Sequence, residues 1–139
     1  MLQRVQTIWL FLAAVCAFLG FQFAFYSGTI SENGIVNGFK KLTATSNVFL
    51  IVTTTAVAVV ALLTIFLYKN RKLQLRLCLA GILLEAILIF LYYTEVKKFT
   101  AGDYSLTALL QACTLLFFML AARGISNDEK IIKESSRLR

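Results

Sequence analysis

Glu85 is the residue of this chain best placed for acid–base or cation chemistry. It is the only Asp, Glu, Lys or Arg within four long stretches, Val5 to Ser31, Leu42 to Tyr68, Leu77 to Thr94 and Tyr104 to Ala122. A charged carboxylate at the centre of a membrane helix costs roughly 2.5–3.5 kcal/mol on insertion scales. No basic residue lies inside these stretches to pair with it. The expected states are a protonated acid or a carboxyl hydrogen-bonded between helices. If the stretches run antiparallel, Thr114, Gln111 and the run Thr53-Thr54-Thr55 fall at similar depths and are the expected neighbours, with Thr54 at the centre of that run. Two roles follow. One is a polar clasp between helices, worth about 0.6–2 kcal/mol. The other is a proton or cation site. A single carboxylate without a second ionisable partner makes a poor relay, so the clasp is the preferred reading.

Other chemistry is sparsely represented. The chain has no His, which excludes His-based catalysis and His metal ligation, and no Pro, which excludes proline kinks. Cys16, Cys78 and Cys113 lie on three different apolar stretches and read as small apolar residues rather than a disulfide framework. There is no P-loop, no nucleophile beside a base and no pair of carboxylates within one stretch. The chain is therefore expected to be non-enzymatic, without catalytic residues, cofactor or metal. Lys69, Arg71, Lys72 and Arg76 form a basic cluster. It reads as a topology determinant and would attract anionic lipid headgroups at about 1 kcal/mol per basic residue.

The elements that position these residues are set by the apolar stretches. With 59% hydrophobic residues in 139 and a mean hydropathy of +0.78, the chain carries more apolar surface than a soluble domain buries. A span needs roughly 20 apolar residues. Four spans are expected, at about 7–25, 47–68, 77–93 and 106–122, in a transmembrane domain covering 1–122. The first apolar run is too long for a signal-peptide core and lacks a small-residue cleavage site, so it reads as an uncleaved span. The threonine run has strand propensity, but a lone strand in lipid would leave its backbone unsatisfied, so helix is expected there. Asn33-Gly34 marks a turn in the first loop, and 35–42 fits a short interfacial helix. Residues 69–76 read as a short basic loop, making spans two and three a hairpin. Trp9, Tyr26, Tyr68, Tyr92 and Tyr93 sit where interfacial aromatic anchors belong. Small residues four apart at Ala13/Ala17, Gly20/Ala24, Thr54/Ala58 and Ala108/Ala112 allow close helix approach. The tail, 123–139, is polar, and Ser126 followed by Glu129 fits the capping box of a short separate helix.

The formal charge of +7 is explained by membrane orientation rather than by nucleic acid, for which no binding framework is present. The N-terminus, the second loop and the tail carry ten Lys and Arg between them, against four in the first and third loops. That bias places both termini in the cytoplasm.

Three segments together resemble a known family. They are Met1-Leu2-Gln3-Arg4-Val5-Gln6-Thr7-Ile8, the hairpin Tyr68-Lys69-Asn70-Arg71-Lys72-Leu73-Gln74-Leu75-Arg76-Leu77-Cys78, and the tail from Ala121-Ala122-Arg123-Gly124-Ile125 through Asp128-Glu129-Lys130 to Ser136-Arg137-Leu138-Arg139. The chain resembles a small four-span inner-membrane family of unknown function from Bacteroidota. The resemblance implies four helices in a bacterial inner membrane and supplies no activity or catalytic residue. The expected fold is an all-α membrane protein, with four transmembrane helices in an antiparallel bundle and a short cytoplasmic C-terminal helix. The expected role is an accessory or scaffold subunit of a larger membrane assembly, with protein export or envelope biogenesis as candidate hosts. The expected partners are the bilayer, other integral membrane subunits and anionic headgroups at the cytoplasmic face. The alternative is a small proton- or cation-coupled transporter or channel subunit using Glu85.

Overall fold

A computed structural model describes the backbone at positions 2–32 and 35–137 and the side chains at 5–30 and 38–137. Four long helices, α1 (Leu2–Gln22), α2 (Val48–Phe66), α3 (Arg71–Val96) and α4 (Ala108–Arg137), carry the four apolar stretches. Each is long and apolar enough to cross a membrane. In hydrocarbon a helix satisfies its own backbone, which overrides the strand propensity of the threonine run. The hydroxyls of Thr53 and Thr55 donate to the carbonyls of Phe49 and Ile51, both at 2.7 Å, and that of Thr64 donates to Val60 at 2.6 Å. Asn47 caps α2, accepting from the Phe49 amide at 3.3 Å.

The all-α expectation is corrected by a small sheet. Strands β1 (Tyr26–Glu32), β2 (Ile35–Leu42) and β3 (Ala101–Tyr104) form one antiparallel sheet in the order β2-β1-β3. The expected interfacial helix at 35–42 is thus a strand, paired from Tyr26↔Leu42 to Glu32↔Ile35 with a register shift between Thr29 and Ile30. The expected turn at Asn33-Gly34 lies outside the described residues. β3 comes from the third loop and pairs Gly28 with Gly102. That pairing is possible because both are glycine: a Cβ on Gly28 would stand 2.2 Å from the Ala101 carbonyl oxygen.

Two further expectations change. Residues 71–76 belong to α3, and the loop between α2 and α3 shrinks to 67–70. Arg, Lys, Leu and Gln are good helix formers, so nothing in 71–76 stops the helix. The tail does not start a separate helix at Ser126. Instead α4 runs unbroken to Arg137, so the Ser126/Glu129 pair lies inside a helix and caps nothing. The continuation is packed: Ile125 is buried, and Asp128 accepts a hydrogen bond from the Gln6 side chain of α1.

The helices meet as α1 with α2 and α4, and α3 with α2 and α4. The main core is built from Leu10, Ala13, Ala14 and Ala17 of α1, Val57, Ala58 and Ala61 of α2, Cys78 of α3, and Phe118, Ala121 and Ile125 of α4. Small residues dominate it, as close helix packing in lipid requires. Of the four-residue spacings read above, Ala13/Ala17 and Thr54/Ala58 face this interior, whereas Ala112 is exposed. A second cluster joins helix ends to sheet through Tyr26, Leu42, Leu50, Leu88 and Tyr92. Tyr26 and Tyr92 are therefore internal, not anchors at the lipid interface. Tyr92 stacks on Phe25 at 4.3 Å, while Tyr26 meets Tyr104 edge-on at 5.0 Å. Tyr68 and Tyr93 remain exposed.

Gly81 fixes the approach of α3 to α4, since a Cβ there would stand 2.6 Å from Cε1 of Phe118. Gly81→Ala is expected to destabilise the protein by about 1–3 kcal/mol through overpacking. Gly38→Ala, at a position with nothing within 4 Å, should change stability by less than about 0.5 kcal/mol. Thermal unfolding of both variants in detergent micelles checks this, and equal shifts would contradict it.

Candidate functional site

The buried positions of α3 are Gln74, Cys78, Gly81, Glu85, Leu88 and Tyr92. They recur every three or four residues and form one inner stripe. Glu85 sits on that stripe and so must face the other helices. Thr54 lies on the inner stripe of α2, and Gln111 and Thr114 lie on that of α4. Two contacts set their levels. The Gln74 side-chain amide donates to the Thr64 carbonyl at 3.2 Å, and Gly81 abuts Phe118. Following α3 upward from these contacts, and α2 and α4 back toward their starts, brings Glu85 level with Thr54 and Thr114. Gln111 lies one turn beyond, with its amide nitrogen 3.0 Å from where a Cβ on Gly20 of α1 would be.

Glu85, Thr54 and Thr114 are completely inaccessible to solvent, and Gln111 is 3% exposed. The Thr114 hydroxyl donates within its own helix, to the Leu110 carbonyl at 2.8 Å. Among the described residues, both carboxyl oxygens of Glu85, the hydroxyl oxygen of Thr54 and the amide oxygen of Gln111 have no hydrogen-bond partner. The Tyr92 hydroxyl lies beside Thr54, but without the geometry of a hydrogen bond to it. Cys16 of α1 is within electrostatic reach of Glu85. The structure thus turns Glu85 and its three expected neighbours, Thr54, Thr114 and Gln111, to the inner stripes of three helices but does not join them into a hydrogen-bonded clasp. Unpartnered buried oxygens stand on the inner stripes of three helices.

Hydrogen-bonded clasps do exist, at residues the sequence reading passed over. Gln6 donates to Asp128 between α1 and α4, and Gln74 ties α3 to α2. The signal for both was available: Gln6 precedes Leu10, Ala13 and Ala17 at helical spacing, and Gln74 leads the stripe of Cys78, Gly81 and Glu85. At the sheet end, the Asn47 amide and the Lys98 ammonium both bond Glu95, each at 2.8 Å. Glu95 lies beyond the apolar span ending at Tyr93. The hydrogen bond from Lys98, helped by that from Asn47, holds its carboxyl below the usual carboxylate range.

The basic cluster is brought together with α4. Lys69, Arg71, Lys72 and Arg76 share a groove of about 560 Å³ with Glu129 and Lys133 of the α4 continuation. Glu129 and Lys133 form an ion pair at 2.9 Å.

Two predictions follow from this geometry. An unmet buried polar group costs about 1–3 kcal/mol, so Glu85→Leu is expected to raise the thermal midpoint, while Glu85→Gln stays near the parent. A lower midpoint for Glu85→Leu would show the carboxyl holding the helices together. For Glu95 the folded-state value is depressed, so its contribution to stability is present above the ordinary 4.5 and is lost as pH falls through the depressed value. Glu95→Gln should therefore flatten the loss of thermal stability in acid, measured by melting at neutral pH and below 4.5.

A family model described as a domain of unknown function (DUF4293) matches residues 2–138. No curated protein and no solved structure was found to match. With the match running over nearly every residue, the chain belongs to the DUF4293 family.

Proposed function

We propose that the protein is a non-enzymatic integral protein of the bacterial inner membrane, of the Bacteroidota type that the family resemblance implies. Its helices form an antiparallel four-span bundle with both termini cytoplasmic. Its role is that of an accessory or scaffold subunit in a larger membrane assembly, with protein export or envelope biogenesis as candidate hosts. The observation that carries this reading is where the apolar surface goes. Only 28–33% of the residues in each apolar window are buried within the chain. The outward faces hold large side chains such as Phe11 and Phe18 of α1, Val52 of α2, Phe90 of α3 and Leu116 of α4. That surface suits lipid and neighbouring membrane subunits. Beyond the four long helices the described chain adds three short strands, one 3-10 turn (Ala44–Ser46) and their connections.

The bias of Lys and Arg supports the orientation. One end of the helices carries Gln6, the 67–70 loop and the α4 continuation, and the sheet caps the other. The sheet then faces the periplasm. A second reading is favoured by the buried oxygens of Glu85, Thr54 and Gln111, namely a proton- or cation-coupled transporter or channel subunit.

Affinity capture of the full chain at native expression in mild detergent, followed by mass spectrometry, tests the first reading. Stoichiometric integral membrane partners are expected, and recovery of this chain alone would count against it. The second reading expects Glu85→Gln to abolish a proton-coupled flux in liposomes, and an unchanged flux would sink it.

A further inference from the structure

The basic groove between the start of α3 and the α4 continuation has no assigned occupant. Five cations line it, Lys69, Arg71, Lys72, Arg76 and Lys133, against one carboxylate, Glu129. Glu129 is already engaged by Lys133 and is drawn further toward its charged form by Lys72. Among the described residues, Lys69, Arg71, Lys72 and Arg76 have no carboxylate within ion-pair distance. The start of α3 adds to the field: its first turn holds no acidic residue and the Asn70 side chain does not cap it. Its leading amides are thus left for solvent or an anion.

The apolar surroundings narrow the choice of anion. Leu73 and Ile132 line the groove beside the charges. On α3 the exposed positions Lys72 and Arg76 are followed at three- and four-residue spacing by Leu79, Leu83, Ile87 and Phe90, all exposed. One helix face therefore passes directly from basic to apolar, in the direction an acyl chain takes away from its headgroup. Inorganic phosphate or an acidic peptide would use only the first part of this face. The volume of about 560 Å³ is ample for a phosphoglycerol headgroup.

We propose that this groove binds one anionic phospholipid. Arg71, Arg76, Lys72 and Lys133 hold the phosphate, where the planar Arg fork matches its oxygens. The acyl chains lie along Leu79, Leu83, Ile87 and Phe90. The site depends on α4 continuing as one helix past Ser126, because that continuation supplies the far wall. It rests on the four-span reading, which puts the 67–70 loop at the bilayer surface, and not on the subunit reading.

The test is native mass spectrometry of the full chain in detergent, with phosphatidylglycerol or phosphatidylethanolamine added at equal concentration and inorganic phosphate as competitor. One phosphatidylglycerol per chain is expected to be retained in preference to phosphatidylethanolamine. Combined Lys72→Gln, Arg76→Gln and Lys133→Gln should weaken that retention at least about ten-fold. Glu129→Gln, which removes the only carboxylate of the groove, should strengthen it. Equal retention of the two lipids, or unchanged retention in the triple variant, would overturn the proposal. Displacement by inorganic phosphate would also overturn it, assigning the groove to a free anion. If the triple variant fails to fold, Glu129→Gln decides alone, and unchanged or weaker retention of phosphatidylglycerol rejects the site. Affinity capture of protein partners reads out separately, so this proposal and the subunit reading can fail independently.

Discussion

Hydrocarbon offers a peptide group no hydrogen-bond partner, and the rest of this structure is arranged around that fact. Each apolar stretch becomes a helix that satisfies its own amides, even where three successive threonines favour a strand. The outer two of these, Thr53 and Thr55, bond their hydroxyls back to carbonyls one turn earlier. What remains for the neighbours is one narrow stripe per helix. Alanines dominate the main core, so the backbones come close, and at Gly81 the contact closes on the ring of Phe118. Among the described residues, the strands lie past the helix ends, where sheet edges can meet water.

Polar side chains inside such a bundle are informative because few are tolerated. Gln6 with Asp128 and Gln74 with Thr64 complete hydrogen bonds between helices, toward the end occupied by the 67–70 loop. Asn47 and Lys98 complete theirs on Glu95, at the sheet end. Between these ends Glu85 stands with both oxygens unmet among the described residues, as are the side-chain oxygens of Thr54 and Gln111. This contrast gives the second functional reading its weight, although the outward apolar surface supports the first.

The hairpin and tail illustrate how local and distant contacts divide the work. The charges of Arg71 to Arg76 read as a loop, yet good helix formers extend α3 through them. The tail carries a plausible capping box at Ser126, yet the pairing of Gln6 with Asp128 and the burial of Ile125 keep α4 continuous. A basic surface that looked like an orientation signal thereby becomes a groove with a second wall.

Composition and spacing determined four membrane-length helices, because those follow from apolar run length alone. The sheet was not legible, since β3 pairs with β1 across more than seventy residues and is too short and polar to announce itself. The inward packing of Tyr26 and Tyr92 depends on that sheet capping the helices. Whether the Glu85 oxygens find donors was likewise a tertiary matter. Helical period brings side chains to the same level, but hydrogen bonds require distances and angles between separate helices that no single stretch specifies.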